Sequence, residues 1–216
     1  MDVYKTDDEQ AEMIKRWLRD NGLSLLTGLM LGVAVLYGVK SWGEYGTRKA
    51  ETASNLFLQL QMAGSKGLDE ASKYYDQIIK DHSDSEYAVL AALDMAKLQS
   101  AKDDMKAAQA QLQWAVEHAH SDGVKLIVRL RLARMQLAAG EIDAAEKSIA
   151  GITEPSFTGL YEDLRGDIAA ARGNMDEAYA AYQRAVDAMP ESVPGRALIE
   201  AKRDDALRTP ANGKTS

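Results

Sequence analysis

A largely apolar stretch, "LLTGLMLGVAVLYGVKSW" at residues 25–42, constrains this chain more than any other part of its sequence. The 19 residues 21–39 carry no charge at all. Eighteen helical residues span about 27 Å, close to the ~30 Å hydrocarbon core of a bilayer. Trp17 and Trp42 flank the stretch, about 37 Å apart on a continuous helix, where interfacial aromatic residues belong. We therefore predict a transmembrane anchor over residues 22–42.

A cleaved signal peptide and a buried helix of a soluble protein are the two alternatives to an anchor. Six acidic residues precede the stretch, whereas a signal peptide begins with a positively charged leader. The segment 39–42 is bulky and charged, which is unlike a small-x-small cleavage site. A soluble helix would carry a polar stripe, and this stretch has none. The residues favour an uncleaved anchor with the lipid bilayer as its solvent.

Basic residues flank the uncharged residues 21–39 almost evenly, with four before them and three close behind them. The positive-inside rule therefore favours a cytoplasmic N-terminus by a single residue. The predicted organisation is a short cytoplasmic segment over 1–21, the anchor, a domain over 43–208 across the membrane, and a flexible tail over 209–216.

Gly28 and Gly32 form a Gly-x-x-x-Gly pair within the anchor. Such a pair lets another transmembrane helix approach closely, so it is a candidate helix contact. The alternative is that glycine is simply common in membrane helices.

Charge and cysteine content exclude several classes of function. The net charge is −7, and no basic block is present that could follow a phosphate backbone, so nucleic acid is not expected as a partner. The chain has no cysteine, which excludes disulfides, thiolate catalysis and cysteine-ligated metals.

The rest of the chain is alanine-rich and shows helical periodicity that repeats. An alanine recurs at intervals of 37, 37 and 33 residues. Each is preceded by an apolar residue three positions earlier. A large apolar or aromatic residue follows four positions later, and isoleucine or alanine follows seven positions later. This spacing marks one face of a helix, so we predict an all-α solenoid of helical hairpins. The recurring alanines are Ala71, Ala108, Ala145 and Ala178.

The last of these units, "DLRGDIAAARGNMDEAYAAYQRAVDAMP" at 163–190, resembles the tetratricopeptide repeat. Gly140 and Gly173 stand at turn positions in the last two units, whereas Asp103 stands there in the second unit. The first unit is degenerate, and its leading helix is predicted to run straight on from the anchor. Residues 191–208 are predicted to form a closing amphipathic helix. Family residues of the last unit are Gly166, Gly173, Ala178, Tyr182, Ala185 and Pro190.

Carrying the inner positions of the tetratricopeptide pattern onto this chain gives a candidate protein-binding groove on the first helix of each hairpin. Its apolar members would hold a hydrophobic segment of another protein, and Lys97 and Arg134 would add polar contacts. The alternative is that the leucines pack against neighbouring helices and that Arg134 and Asp167 pair with one another. The groove residues are Leu90, Leu93, Lys97, Ile127, Leu130, Arg134, Leu160, Asp163 and Asp167.

Signatures of catalysis do not appear in the sequence. It contains no P-loop, dinucleotide fingerprint or nucleophile elbow. His82, His118 and His120 lie outside metal-binding motifs, and we expect all three at the surface. Asp163 and Asp167 are four residues apart, and we interpret them as a charged helix face rather than as the acid pair of a hydrolase. We therefore predict no enzyme activity, no catalytic or metal-binding residue and no cofactor.

Four segments in order resemble the YfgM-like family, the ancillary subunits of the bacterial SecYEG translocon. They are "VYKTDDEQAEMIKRWLRDNG" (3–22), "GLMLGVAVLYGVKSW" (28–42), "VKLIVRLRLARMQLAAG" (124–140) and "YEDLRGDIAAARGN" (161–174). The resemblance implies a single-pass protein of the inner membrane of a Gram-negative bacterium, with a cytoplasmic N-terminus and a periplasmic repeat domain. It also implies association with the Sec translocon, with a membrane-anchored parvulin-like periplasmic chaperone and with unfolded exported proteins.

Two functions fit these features. The first is a non-enzymatic interaction protein at the translocon that assists chaperone handling of newly exported proteins. The second is a cytoplasmic adaptor, tethered to the membrane, that assembles a secretion or division complex. The two share one fold and differ in the side of the membrane on which the repeat domain lies.

Overall fold

The computed structural model of the chain describes residues 7–208, and the predicted tail at 209–216 and the first six residues lie outside that range. Within it the chain forms nine α-helices and one short 3-10 turn, with no strand, so the all-α prediction is confirmed. The helices are α1 Asp7–Gly64, α2 Leu68–His82, α3 Glu86–Ala101, α4 Met105–His118, α5 Asp122–Ala138, α6 Ile142–Ile149, α7 Thr158–Ala171, α8 Met175–Ala188 and α9 Arg196–Arg208, with the 3-10 turn Pro155–Phe157 between α6 and α7.

The chain divides after Thr52 into two compact units. In the first unit every residue from 23 to 43 is exposed, including leucines, valines and aromatic side chains all around the helix. A helix that is apolar on every side has no face to turn towards water. The α1 helix is accordingly long and apolar enough to cross a membrane, as the sequence predicted.

The second unit begins at Ala53, and we call it the repeat unit. Its helices pair in order as hairpins: the last part of α1 with α2, α3 with α4, α5 with α6, and α7 with α8. Each hairpin packs on the next, and α9 packs on α8 at the end of the row. This is the helical-repeat solenoid that the sequence predicted.

The recurring alanines lie in the buried clusters between the helices of the hairpins. All four are completely buried, and the larger residue one turn later is buried in three hairpins and half-buried at Tyr75 in the first. A small side chain at each crossing lets the partner helix approach, and the larger one then fills the space beside it. Each hairpin thus centres on its own cluster of buried apolar residues.

The turn inside the second hairpin keeps its shape without glycine. Gly140 and Gly173 adopt positive φ angles of 79° and 78°, and Asp103 adopts 64° at the corresponding position. After both Gly140 and Asp103, the next backbone N–H donates to the carbonyl five residues earlier, which closes the end of the first helix. Aspartate tolerates the left-handed region better than most side chains, so the turn survives the departure from the repeat pattern.

The closing helix α9 begins at Arg196, five residues later than the sequence predicted. Pro194 and the positive φ of Gly195 interrupt the helix before that point. Arg196 ties the start of α9 to the preceding hairpin, because its guanidinium donates to the backbone carbonyls of Val186 and Met189. The segment before Arg196 therefore forms turns instead of a helix.

Candidate protein-binding groove

The first helices of the hairpins present apolar side chains to solvent, although the repeat unit has clusters in which to bury them. Leu90 on α3 is 37 % exposed and Ile127 on α5 is 38 % exposed. Leu93 and Leu160 are half-buried. Four predicted groove residues therefore offer apolar surface, and they come from α3, α5 and α7.

An open cavity of about 490 Å³ lies between α3 and α5. It brings together Leu93, Lys97 and Arg134, which the repeat pattern had placed in the groove. It also contains residues that the pattern missed, because they lie one turn beyond the inner positions or on the second helix behind them. These are Ala96, Ser100, Leu112, Arg131 and Met135.

A second cavity of about 350 Å³ adjoins the first on the other side of Lys97, which lines both. Its wall includes Leu60 and Leu98, and Gln61 donates a hydrogen bond to Asp94 across it at 3.2 Å. The two cavities, which share Lys97 in their lining, make up a mostly apolar recess on the first-helix side of the repeat unit.

Leu130 is a core residue instead of a groove residue. It is 4 % exposed and packs with Ala133, Ala145 and Tyr161. The phenol of Tyr161 donates to the backbone carbonyl of Leu126 and holds α7 against this side of α5. The alternative weighed for the leucines, packing against a neighbouring helix, is therefore what the structure shows at this position.

Asp163 and Asp167 are neutralised within the repeat unit. Lys202 of α9 donates to Asp163 Oδ1 at 2.8 Å and to both oxygens of Asp167 at 2.8 and 2.9 Å. The phenol of Tyr182 donates to Asp167 at 2.8 Å. Arg134 pairs with Asp163 over 3.4 Å, so the pair of Arg134 with Asp167, weighed as an alternative to the groove, is not the one that forms. Asp163 is 6 % exposed, so this end of the groove is occupied by α9.

The same contacts alter two pKa values. Burial lowers the pKa of Lys202, but hydrogen bonds to Asp163 and Asp167 and their negative charges outweigh it, and the net pKa is raised above its ordinary value. Burial and the hydrogen bond to Asp167 raise the pKa of Tyr182. Lys202 is therefore charged and Tyr182 neutral throughout the physiological range.

The two anchor glycines lie on the exposed surface of α1. A Cβ atom built on Gly28 or Gly32 would meet nothing within 4 Å. Their role as a helix contact remains a prediction.

The histidines do not all lie at the surface as predicted. His82 is 8 % exposed, and the N–H and hydroxyl of Ser85 both donate to its carbonyl in the turn that follows α2. His118 is half-buried and stacks on Trp114 with 4.0 Å between ring centroids, and His120 is exposed. Among the side chains that the structure describes, at residues 10–43 and 45–208, no three histidine or acidic groups are placed to hold a metal ion.

Comparison with known proteins agrees with this architecture. Residues 15–208 match the family described as tetratricopeptide repeat-like domain. A relative from Escherichia coli is 28 % identical over 186 residues, which cover 86 % of this chain and 90 % of the relative. One from Haemophilus influenzae is 30 % identical over 187 residues, covering 85 % and 90 %, and one from Neisseria gonorrhoeae is 22 % identical over 206 residues, covering 94 % and 99 %. Each of these relatives is named ancillary SecYEG translocon subunit. The chain therefore belongs to the tetratricopeptide repeat-like family of ancillary SecYEG translocon subunits.

Proposed function

We propose that this protein is a non-enzymatic interaction subunit of the Sec translocon, anchored in the inner membrane of a Gram-negative bacterium. Its repeat unit lies in the periplasm, where it meets unfolded exported proteins and a membrane-anchored parvulin-like chaperone. The observation that carries the proposal is the apolar recess on the first-helix side of the repeat unit, in a chain that also has a helix able to cross a membrane. The names of the relatives supply the translocon as the partner.

A membrane-anchored binding protein suits this task because a high local concentration compensates for a weak binding affinity. A groove confined near the translocon exit meets each emerging chain at a high effective concentration, so weak contacts suffice and the chain is released quickly. The exposed side chains of Leu90 and Ile127 are the anchors that such transient contact needs, since they gain burial when a segment binds.

The orientation of the repeat unit is tested by single cysteines, because the natural chain has none. Ser156→Cys lies at an exposed position of the repeat unit, and Ala11→Cys lies at an exposed position before the anchor. We expect a membrane-impermeant maleimide to label Ser156→Cys in intact spheroplasts, and Ala11→Cys only after lysis. The opposite pattern would place the repeat unit in the cytoplasm and favour the adaptor function.

The groove is tested by a photo-crosslinking amino acid placed at Ile127 in living cells. We expect crosslinks to newly exported chains or to the chaperone. Leu90→Glu in the same chain should reduce them about fivefold, since one apolar anchor of about 1 kcal/mol is lost. Leu130 is unsuitable for this purpose, because a charge at that buried position would disrupt the fold.

The control for this experiment is the same crosslinker at Leu207, which is also exposed and apolar but lies on α9. Equal crosslinking from positions 127 and 207 would contradict a groove, because it would indicate contact without a preferred surface. An absence of crosslinks from Ile127 would contradict direct binding.

A further inference from the structure

The cavity between α3 and α5 has an apolar floor and a positively charged margin. Leu93, Ala96, Leu112 and Met135 provide the floor. Three cationic side chains, Lys97, Arg131 and Arg134, line the same cavity, and no acidic side chain is among its lining residues. In a chain of net charge −7 this local excess of positive charge runs against the average of the surface.

The three cations are incompletely neutralised by the repeat unit. Arg134 has a long contact of 3.4 Å with Asp163, whose other oxygen Lys202 holds at 2.8 Å. One buried carboxylate is thus shared by two cations, and the Arg134 side chain remains 45 % exposed. Lys97 and Arg131 are exposed, and the nearby Asp94 lies in the adjoining cavity, where it accepts from Gln61. The free charge in the α3–α5 cavity is therefore positive.

A second arginine-rich cavity has an ion pair for each of its three arginines. The recess between α6, α7 and α8 contains Arg165, Arg172 and Arg184, together with two glutamates. Arg165 and Arg184 both pair with the buried Glu162, and Arg172 pairs with Asp143 and Glu146 at 2.6 and 2.7 Å. Arg172 and Arg184 pair with acids on other helices, and glutamates line the cavity beside the arginines. The α3–α5 cavity differs because no acidic side chain lines it.

We propose that the α3–α5 cavity binds an internal polypeptide segment in which apolar side chains are flanked by acidic ones. Apolar side chains enter the recess over Leu93 and Met135, and glutamate or aspartate carboxylates accept hydrogen bonds from Arg131 and Lys97. The volume of about 490 Å³ lies within the range of ligand pockets and suits a few side chains of an extended segment. The inference rests on the proposed function and adds a charge preference to it.

The charge preference also has a kinetic consequence. A positive margin attracts acidic segments from a distance, so it raises the association rate more than it slows release. Basic apolar segments, such as those that flank anchors, are disfavoured by like-charge repulsion. The cavity thereby distinguishes among the apolar segments that a translocon exposes.

The test uses the full chain in nanodiscs and three short fluorescent peptides that share one leucine-rich centre. The flanking residues are glutamate, glutamine or lysine. We expect the glutamate peptide to bind about tenfold more tightly than the glutamine peptide at low salt, and this advantage to disappear as salt screens the charges. The lysine peptide should bind most weakly.

The variants are matched for charge. Lys97→Gln with Arg131→Gln should remove the preference for glutamate and leave the affinity for the glutamine peptide within about twofold. The control, Lys106→Gln with Lys147→Gln, removes the same charge from exposed positions on α4 and α6 and should leave the preference intact. Arg134 is left unchanged because it also pairs with Asp163.

Each other outcome overturns the proposal in a distinguishable way. Equal binding of the three peptides, with no effect of the Lys97 and Arg131 variant, would remove the charge preference and leave the groove function standing. Failure to bind any of the peptides would contradict both. Peptide affinity that falls as protein concentration rises would indicate that a second copy of this chain occupies the cavity.

Discussion

Replacing Gly166 with alanine is expected to lower the free energy of unfolding of the repeat unit by about 2–3 kcal/mol. A Cβ atom on Gly166 would lie 2.5 Å from Cδ1 of the Tyr182 ring, far inside van der Waals contact. The ring cannot move aside cheaply, because Tyr182 is 4 % exposed and its hydroxyl is held by Asp167. The substitution therefore separates α7 from α8 or breaks that hydrogen bond.

Two other glycines make this prediction specific. Gly123→Ala on α5 meets only the Ser121 hydroxyl at 3.9 Å and should be neutral or slightly stabilising. Gly159→Ala would approach Met189, an unbranched side chain that can bend away, so an intermediate loss is expected. Urea unfolding followed by circular dichroism at constant detergent measures all three. Equal midpoints for the Gly166 and Gly123 variants would refute the account of this contact.

Replacing Lys202 with methionine is expected to destabilise the repeat unit by about 2 kcal/mol. The change leaves Asp163 and Asp167 one turn apart with Arg134 as the remaining cation near Asp163. Breaking a buried ion pair by removing one partner costs about 3–5 kcal/mol, and the partial exposure of Lys202 reduces that figure. The loss should appear as a lower urea midpoint, with Lys125→Met, at an exposed position of α5, as the matched control.

The pH dependence of this loss distinguishes an ion pair from lost packing. The raised pKa of Lys202 means that its contribution is fully present below the ordinary lysine value of about 10.5, and is lost as pH rises through the folded-state value. The stabilities of the natural chain and the Lys202 variant should therefore begin to converge as pH rises past about 10.5, and should meet above the folded-state pKa. A difference that stays constant into that range would show that Lys202 acts through its aliphatic stem.

Sequence reasoning was most accurate where the determining interactions are local. The crossing alanines and turn residues belong to single hairpins, so their spacing along the chain carries the information, and even Asp103 keeps its turn. The predicted start of α9 was wrong because Pro194 and Gly195 break the helix just ahead of the amphipathic pattern that follows them. Element type was thus readable from the chain, whereas one boundary was not.

The candidate groove was only partly predictable because side-chain exposure depends on distant partners. Leu93 and Leu130 occupy equivalent positions of the repeat, yet one lines a cavity and the other is buried by Tyr161 from the next hairpin. From the sequence alone, Asp163 and Asp167 are free to contact a bound segment. In the fold, Lys202, more than 30 residues later in the chain, pairs with both of them. Arg131 stands one turn after Ile127, so extending the pattern by one helical turn would have found it.

Because each hairpin has its own apolar cluster, the repeat unit can fold one hairpin at a time during synthesis. Its long-range side-chain contacts join neighbouring hairpins: Tyr75 reaches Gln111, Tyr161 reaches Leu126 and Lys202 reaches Asp163, over 35 to 39 residues. Because each hairpin contacts only its neighbours, no contact has to wait for a distant part of the chain. A chain that emerges N-terminus first can bury each cluster as soon as the next helix appears. The apolar surface that remains exposed at any moment during synthesis is then limited to about one hairpin, whatever the number of hairpins in the solenoid.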